Sequence, residues 1–439
     1  MTTPIRDFIR GYIESGAARL HMPGHKGESL VGYEAHDITE IPGADSLFEA
    51  SGIIRESEEN ASSLFGCPTF YSAEGSSLAI RGMLYLLQIS KSGRMKIAAG
   101  RNAHKVFISA AALLDFDIDW LHVNDDSYIT CTLTPDTVED YLYRTDVLPR
   151  AVYVTSPDYF GNILDIGGIA DVCHRYGVML LVDSAHGAYL RFLDKSAHPI
   201  DLGADMCAAS AHKTMPVLTG GAYLHLSPSH TDLAERAKDA MMMFASTSPS
   251  YLILESLDAA NAYLEGYSAR LEKFLPTAAR FKKKLSRMGF ELVGDEPLKV
   301  TIMPKTMGYT GMDIAGILED HGIFCEMCDP DHVVMMLTPE TKDEWICRTL
   351  DVLSKLPKRT AICDAPPRLS IPDVRMSVRE ALMSPSVTVD VTDAAGRILS
   401  AVSVGCPPAV PIVVSGEIID SNAVEVFRYY GIEKCTVVK

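Results

Sequence analysis

Met-Cys-Ala-Ala-Ser-Ala-His-Lys-Thr at 206–214 and Val-Met-Leu-Leu-Val-Asp-Ser-Ala-His at 178–186 each start as an apolar run and end in polar residues. A short apolar run bounded by polar residues is typical of a buried strand, so we predict a strand in each. Asp183 directly follows the strand predicted at 178–182, and Lys213 follows the strand predicted at 206–209. These two side chains at neighbouring strand ends decide how the rest of the chain is interpreted.

An acid and a lysine at neighbouring strand ends fit a site for pyridoxal phosphate (PLP). In such a site the lysine forms a Schiff base with the cofactor aldehyde, and the acid keeps the pyridine nitrogen protonated so that the ring withdraws electrons. Neither Asp183 nor Lys213 carries this hypothesis alone, because a lysine after a strand is usually a solvated surface group. The pair and the loops around it carry it.

Apolar segments alternate with helical patterns between residues 96 and 243. This alternation predicts an α/β fold with a mostly parallel sheet and helices on both faces, in which ligands bind beyond the carboxyl ends of the strands. Polar residues follow four of these ends, at 101–105, Asp158, Asp183 and Lys213. The predicted strands are Lys96–Ala99, Ile118–Val123, Ala151–Thr155, Val178–Val182, Met206–Ala209 and Gly221–Leu226, and the predicted helices lie near 104–114, 135–144, 167–176 and 232–243.

A further informative stretch is Glu-Gly-Ser-Ser at 74–77, which precedes a helical pattern. A glycine and two serines at a helix start offer backbone N–H groups, two hydroxyls and the positive end of the helix dipole, which together suit a phosphate. The alternative is that Ser76 is an N-cap residue and nothing more. The stretch is not a Walker loop, because the lysine of that motif is missing.

The rest of the chain predicts two further domains. Asp364–Pro372 is rich in proline and is the clearest linker. We therefore predict a large domain at 1–285, a smaller α+β domain at 286–360 and a C-terminal domain at 361–439. The elements predicted for the smaller domain are strands near Glu291–Val293, Lys299–Met303, Ile323–Glu326 and Val333–Leu337 and helices near 311–321 and 341–355.

The composition is typical of a globular enzyme. The 439 residues include 47% hydrophobic and 22% charged residues, and the net charge is −17. A nucleic acid or an anionic membrane would require a basic face, so we expect neither as a partner. The first residues lack the apolar core of a signal peptide, and no apolar run reaches the roughly 18 residues of a membrane span. We therefore expect a cytoplasmic protein whose ten cysteines are reduced thiols.

Two spacings in the chain are similar to metal-ligand spacings without predicting a metal site. Cys325 and Cys328 have the spacing of a redox or half-zinc site, but no second pair accompanies them. His21 and His25 are four residues apart, but a proline and a glycine between them prevent the regular helix that would place both on one face. We predict that the protein has no metal site.

The polar loops together resemble those of the Orn/Lys/Arg decarboxylase family, which are PLP enzymes of the aspartate-aminotransferase fold (fold type I). The resemblance covers nearly the whole chain and implies a PLP-dependent transferase fold with a seven-stranded type of sheet. The larger inducible bacterial members carry an N-terminal wing domain, whereas this chain starts directly at the core, as the shorter biosynthetic members do. The matching stretches are HMPGHKG at 21–27, EGSS at 74–77, RNAHK at 101–105, TSPDYFG at 155–161, DSAHG at 183–187, SAHKT at 210–214, STSPSY at 246–251 and RILSAVSVGCPPAVPIVVSGE at 397–417.

The resemblance implies a role for four residues around the cofactor ring. Lys213 would carry the Schiff base, and Asp183 would pair with the pyridine nitrogen. His104 would stack on the ring, with a packed core histidine as the alternative, and His186 would lie near the ring edge and the substrate.

The resemblance also implies how the cofactor phosphate is bound. Thr247 and Ser248 would reach the phosphate of the neighbouring subunit, which predicts a homodimer with shared active sites and leaves a higher oligomer open. The phosphate ligands within one chain would be Gly75, Ser76, Ser77, Ser210 and His212.

The function that the resemblance implies is α-decarboxylation of a basic L-amino acid to an amine and CO2. Electrons from the broken bond would enter the ring, and Lys213 or His186 would return a proton to Cα. The short architecture favours arginine, which gives agmatine, over lysine or ornithine. An acid at the far end of the pocket would select the side chain, although each candidate is more often a solvated or loop-capping acid. The candidates are Asp45, Asp158, Glu326 and Asp329.

Two other functions stay open from the sequence. An aminotransferase of the same fold would react with a keto acid and form pyridoxamine phosphate. A PLP-binding regulator would keep the fold without turnover, since a fold does not imply a function. The complete set of Lys213, Asp183 and His104 argues against the regulator.

Overall fold

The computed structural model describes residues 1–121, 128–368, 370–402 and 410–439. Its strands are β1 (Thr69–Ser72), β2 (Lys96–Gly100), β3 (Asp117–Leu121), β4 (Ala151–Thr155), β5 (Met179–Asp183), β6 (Met206–Ala209), β7 (Ala222–Leu226), β8 (Glu291–Val293), β9 (Lys299–Met303), β10 (Met327–Cys328), β11 (Val333–Met336), β12 (Ser386–Asp390) and β13 (Lys434–Val438). Its helices are α1 (Pro4–Glu14), α2 (Ile53–Phe65), α3 (Gly75–Ser90), α4 (Lys105–Leu114), α5 (Pro135–Arg144), α6 (Ile166–Arg175), α7 (Ala211–Thr214), α8 (Thr231–Glu235), α9 (Ala237–Met242), α10 (Tyr251–Leu264), α11 (Tyr267–Met288), α12 (Gly311–Asp320), α13 (Asp343–Ser354), α14 (Val378–Met383) and α15 (Ser421–Tyr429).

Contacts between residues divide the chain into two compact units. The first unit comprises Met1–Gly93 and Ile166–Glu272, and the second unit comprises Arg94–Asp165 and Lys273–Lys439. The predicted domain boundaries near residues 285 and 360 stay predictions. Within the described ranges, no helix is both long and apolar enough to cross a membrane.

The large sheet has seven strands. Neighbouring strands follow the order β1-β7-β6-β5 in the first unit and β4-β2-β3 in the second. The pairs β5–β6, β2–β4 and β2–β3 are parallel, whereas β7 is antiparallel to β1 and to β6. The prediction of an α/β fold with a mostly parallel sheet is therefore confirmed.

The register of β5 and β6 explains why their polar ends come together. Both strands are almost wholly buried, as expected of a parallel sheet with both faces covered. Asp183 at the end of β5 lies opposite Ala208 of β6, and the amide of Ser184 donates to the carbonyl of Ala208. Asp183 and Ser210 therefore emerge at the same edge of the sheet.

The second unit contains two smaller sheets. One is antiparallel with the order β10-β11-β9-β8, and the other is the pair β12–β13. Apolar residues of α15 and β13, the last helix and strand of the chain, lie in one buried cluster with Ile129, Phe160 and Val334 of the same unit. The C-terminal region is thus part of the core of the second unit.

Several element boundaries differ from the prediction. β1 was not predicted, and the strand predicted near Ile323–Glu326 lies directly after that range, as β10, where Met327 and Cys328 pair with β11. The predicted helix at 232–243 consists of α8 and α9, separated at Arg236. β3 ends at Leu121, and the last two positions of the strand predicted there lie outside the described residues.

Candidate active site

Asp183 is a buried carboxylate at the carboxyl end of β5. The residue is only 2% exposed. One of its carboxylate oxygens accepts a hydrogen bond from the amide of Ala185 at 3.2 Å. A carboxylate this deep in a protein is stable only with polar or cationic partners. Its position at the edge of the sheet makes it suitable to face a cationic ring nitrogen.

Lys213 lies on the short helix α7, just beyond β6. Its Nζ is 3.0 Å from Nε2 of His186, a buried histidine three residues after Asp183. The Lys213 residue itself is half-buried. An imidazole nitrogen at hydrogen-bond distance can take a proton from an ammonium group, and loss of that proton makes the amine a nucleophile. The structure thus brings the predicted lysine and histidine into direct contact.

The start of α3 is shaped to receive an anion. Gly75 has a φ of +70°, and a Cβ at this position would meet no atom within 4 Å. The N-cap residue is Glu74, whose side chain makes no capping hydrogen bond. The alternative that Ser76 is only an N-cap is therefore wrong, because Ser76 lies inside the first turn. Its hydroxyl accepts a hydrogen bond of 2.9 Å from Ser210, at the end of β6.

Four other predicted phosphate ligands have different surroundings. Ser77 is half-buried in the first turn of α3, and His212 donates from Nδ1 to the carbonyl of Gly221 at 2.9 Å. Thr247 and Ser248 are exposed in the loop before α10.

Glu74 holds the loop that contains Thr247 next to the start of α3. Instead of capping its own helix, the carboxylate of Glu74 accepts the amide hydrogen of Ser246 at 2.7 Å. This contact was not predicted, although Glu74 is part of the EGSS motif.

These first-unit residues fit PLP by their chemistry. A half-buried amine and a buried carboxylate come from neighbouring strand ends, and two hydroxyls meet at a helix start without a side-chain cap. We call Asp183, His186, Lys213, Ser76 and Ser210 the first-unit cluster. The individual roles of its residues stay predictions.

His104 lies in the second unit, at the N-cap of α4. Its Nδ1 accepts the amide hydrogen of Val106 at 3.2 Å, and the residue is half-buried. It is therefore a helix-capping residue rather than a packed core histidine. Its predicted stacking on a cofactor ring stays a prediction.

Asp45 and Asp158 already have backbone partners. Asp45 accepts hydrogen bonds from the amides of Ser51 and Gly52, among others; burial opposes its ionisation, but these amides outweigh it and lower the pKa of Asp45. Asp158 accepts from the amides of Phe160 and Asn162, and burial raises its pKa. Both carboxylates stabilise the loops in which they lie.

Asp329 and Glu326 lie close together in the chain but differ in their partners. Asp329 is buried and accepts from the amides of Asp331 and His332. Glu326 is exposed, and the hydroxyl of Tyr159 donates to its Oε1 at 3.0 Å. Tyr159 was not singled out in the sequence, although it is part of the TSPDYFG motif. Of the four candidate acids, Glu326 alone is both exposed and bonded by a side chain from a distant motif.

One group in the described part of the chain has the spacing of a metal site. Oxygen or nitrogen atoms of Asp329, Asp331 and His332 lie within 4.8 Å of one another. Each already has a protein partner, since Lys305 and Tyr429 bind Asp331 while Asp329 accepts from Nδ1 of His332. The expectation of no metal site stays a prediction.

Comparisons with known proteins agree with this fold. A family model described as the major domain of Orn/Lys/Arg decarboxylase matches residues 3–295. The arginine decarboxylase of Halalkalibacterium halodurans is 30% identical, over 97% of this chain and 93% of its own. The crystal structure of the Francisella novicida lysine decarboxylase is 18% identical and covers 100% of this chain and 81% of its own, with a TM-score of 0.80. A structure of SPT with PLP is 14% identical and covers 80% of this chain and 82% of its own, with a TM-score of 0.56.

The seven-stranded sheet and the matching solved structures define the fold as PLP-dependent fold type I. The chain belongs to the Orn/Lys/Arg decarboxylase family, because the family model matches well over half of it and a relative at 30% identity spans nearly all of it. The protein is an enzyme of that family, a decarboxylase.

Proposed function

We propose that this enzyme decarboxylates L-arginine to agmatine and CO2 with PLP as its cofactor. The family acts on basic amino acids by its description, and the relative at 30% identity is an arginine decarboxylase. The observation that carries the proposal is the 3.0 Å contact between the amine of Lys213 and the imidazole of His186, three residues after the buried Asp183.

The cofactor, when bound, supplies an electron-poor ring that accepts the electrons of the broken bond between Cα and the carboxylate. The protein supplies the charge and the attachment that this chemistry requires. Asp183 presents a buried negative charge, which favours a protonated ring nitrogen. Lys213 would provide the amine that holds the cofactor.

His186 controls the proton on Lys213. Its Nε2 can accept a proton from the ammonium form of Lys213, so that the neutral amine is available to attack. After CO2 leaves, Lys213 can return a proton to Cα, with His186 holding its Nζ in place. The pair is therefore the proton relay of the proposal.

The start of α3 holds the phosphate. The N–H groups of the first helical turn have no acceptor within the helix, and the helix dipole favours a negative charge there. The hydroxyls of Ser76 and Ser210, 2.9 Å apart, can turn to donate to the same anion. Gly75 leaves room because no side chain occupies this position.

Glu326 is the proposed acid that recognises the guanidinium of arginine. A carboxylate can bind a guanidinium through two parallel hydrogen bonds, and Glu326 is exposed enough to do so. The hydroxyl of Tyr159 fixes one of its oxygens. The backbone partners of Asp45, Asp158 and Asp329 make these acids less suitable.

We also propose that the enzyme acts as a homodimer with shared sites. Thr247 and Ser248 are exposed in the first unit, as a loop that reaches a partner would be. The same unit exposes Leu218, Met242 and Met243, which are 52%, 47% and 61% exposed. Large exposed apolar side chains mark interaction surfaces when they form a patch.

The direct test is to incubate the purified enzyme with PLP and, in separate reactions, L-arginine, L-lysine and L-ornithine. We expect CO2 and agmatine in equal amounts from arginine and less product from the other two. Formation of a keto acid and pyridoxamine phosphate without CO2 would identify an aminotransferase instead.

The proposed role of Glu326 has its own test. Glu326→Gln should raise KM for arginine by about tenfold or more, since a charge-assisted hydrogen bond is lost, with a smaller effect on kcat. Glu340→Gln, another acid of the second unit, is the control. An unchanged KM in Glu326→Gln would assign the recognition of the guanidinium to another residue.

A further inference from the structure

A buried ion pair connects the RNAHK motif to the C-terminal end of the chain. Nη2 of Arg101 lies 3.0 Å from the carboxylate of Glu417, and the two side chains are 10% and 3% exposed. The same guanidinium donates to the carbonyls of Pro411 and Ile412 and lies 5.1 Å from the ring centre of Trp120. All of these residues belong to the second unit.

The carboxylate of Glu417 is held in this contact by burial and by a second hydrogen bond. Its Oε2 also accepts the amide hydrogen of Val414 at 2.6 Å, and only 2% of the residue is exposed. Breaking a buried pair by removing one partner leaves the other charge without compensation. The loop that contains Arg101 is therefore fixed to residues 411–417 by more than packing.

A second contact from the C-terminal region holds the other end of α4. Nη1 of Arg379, on α14, donates to the carbonyls of Ala112 and Leu113 at 2.7 and 3.3 Å. Carbonyls in the last turn of a helix have no N–H donor within the helix, and an arginine there also interacts favourably with the helix dipole. Both ends of α4 are thus held by residues that follow position 370.

His104 lies between these two contacts. It is three residues after Arg101, and it begins α4 as the N-cap whose Nδ1 accepts the amide hydrogen of Val106. The ring orientation of His104 therefore depends on where this loop and the first turn of α4 are held. Neither Glu417 nor Arg379 is close to it in the sequence.

We propose that Glu417, acting through Arg101, and Arg379 are positioning residues for the His104 side chain. This inference rests on the proposed function together with the prediction, made from the family resemblance, that His104 stacks on the PLP ring. It adds a task for the C-terminal region that the motifs around PLP do not assign. Glu417 makes the larger contribution, since its contact is buried whereas Arg379 is exposed.

The first test needs no cofactor. Hydrogen exchange of the Val106 amide reports on the contact with Nδ1 of His104. We expect Glu417→Gln to increase this exchange about tenfold and Arg379→Ala to increase it less. Val437→Ala is the control, because it removes apolar volume from the same C-terminal core without removing a hydrogen bond to Arg101. Equal increases in Glu417→Gln and Val437→Ala would overturn the inference, because they would show a general loosening.

The second test is a double-mutant cycle on PLP affinity, with His104→Ala and Glu417→Gln combined in the full-length enzyme. If Glu417 acts through His104, the double variant should bind PLP about as weakly as His104→Ala alone. Effects that multiply would overturn the inference while leaving the role of His104 intact. If His104→Ala binds PLP like the unmodified enzyme, the predicted stacking role of His104 fails and the inference fails with it, while the proposed decarboxylation is untouched.

Glu425→Gln serves as the control for charge in both tests. Glu425 is exposed on α15, and this variant should leave hydrogen exchange at Val106 and PLP affinity unchanged. If Glu425→Gln weakens PLP binding as much as Glu417→Gln does, the effect follows net charge rather than the buried contact, and the inference is overturned.

Discussion

The first-unit cluster and Asp158 of the second unit differ in where their partners come from. Ser210 and Ser76 are 134 residues apart, and Lys213 and His186 are 27 apart. Asp158, by contrast, accepts from residues only two and four positions ahead. A polar residue with local partners stabilises its own turn, whereas polar residues that meet from distant strands form a site without stabilising any one loop.

Helix starts show the same difference. The residue before α12, Thr310, forms a complete capping box with Asp313, and Ser377 forms another with Glu380 before α14. The start of α3 has no side-chain cap, and its Ser76 is bonded to a residue of another strand end. Of these three helix starts, the uncapped one lies in the first-unit cluster.

The largest effect should come from Lys213→Ala. Without this amine the cofactor has no attachment, so amine formation should fall by about a thousandfold or more, as for other catalytic residues that act as a unit. The measurement is the rate at which each variant forms agmatine from arginine. Lys195→Ala, an exposed lysine of the same unit, should retain full activity. A Lys213→Ala enzyme that still turns over normally would make the cluster structural.

The pair Asp183→Asn and Asp158→Asn compares the two kinds of acid directly. Asp183→Asn should lower kcat by about a hundredfold or more, because the charge that keeps the ring nitrogen protonated is lost. Asp158→Asn should instead lower the free energy of unfolding by about 1–3 kcal/mol, because its amide would face the Asn162 side chain that now donates to the carboxylate. Urea unfolding and steady-state kinetics on both variants separate the two outcomes, and a reversed pattern would contradict the comparison.

The burial of His198 leads us to expect that the first unit loses stability in acid. It is fully buried beside His225, and burial lowers the pKa of His198 from 6.5 to about 4. The unfolded chain therefore binds a proton between these pH values that the folded chain does not, so stability falls as pH falls through this range, by at most about 1.4 kcal/mol per pH unit. His198→Leu should show a shallower loss of stability in urea unfolding from pH 7 to pH 4. An unchanged slope would assign the acid sensitivity to other groups.

The smallest effects should come from the two helix starts. Ser76→Ala should weaken PLP binding about tenfold, the loss expected for one hydrogen bond to a charged group, with little change in stability. Thr310→Ala should lower the free energy of unfolding by about 1 kcal/mol, as for other N-caps, without changing PLP affinity. Titration of the apoenzyme with PLP and thermal unfolding give both numbers. If Thr310→Ala weakened PLP binding as Ser76→Ala does, the difference between capped and uncapped starts would carry no information.

Much of the fold could be predicted because its signals are local. The apolar runs at Ala151–Thr155 and Met206–Ala209 became β4 and β6 with the predicted bounds, and the helix at 135–144 became α5. β1 was missed because its four residues form an edge strand without a distinctive pattern, recognised only through its pairing with β7. The strand predicted near Ile323–Glu326 was displaced, because its position depends on the pairing of Met327 and Cys328 with β11, which no local pattern shows.

The candidate site was predictable in its members rather than in its contacts. Asp183, Lys213 and Ser76 could be named because each follows a recognisable strand end or helix start. The contact of Glu417 with Arg101 could not, because the two residues are 316 positions apart and neither has a local pattern that names the other. The partners of Asp45 and Asp158 could not be predicted either. The sequence does not distinguish an aspartate that binds amides in its own loop from an aspartate that binds a substrate.

The most direct test of the account is to treat the enzyme, loaded with PLP, with sodium borohydride and to locate the modified residue by mass spectrometry. Reduction fixes the cofactor to the amine that holds it. We predict one modified peptide, with the label on Lys213. A label on a different lysine, or an unlabelled enzyme that still converts arginine to agmatine, would contradict the account.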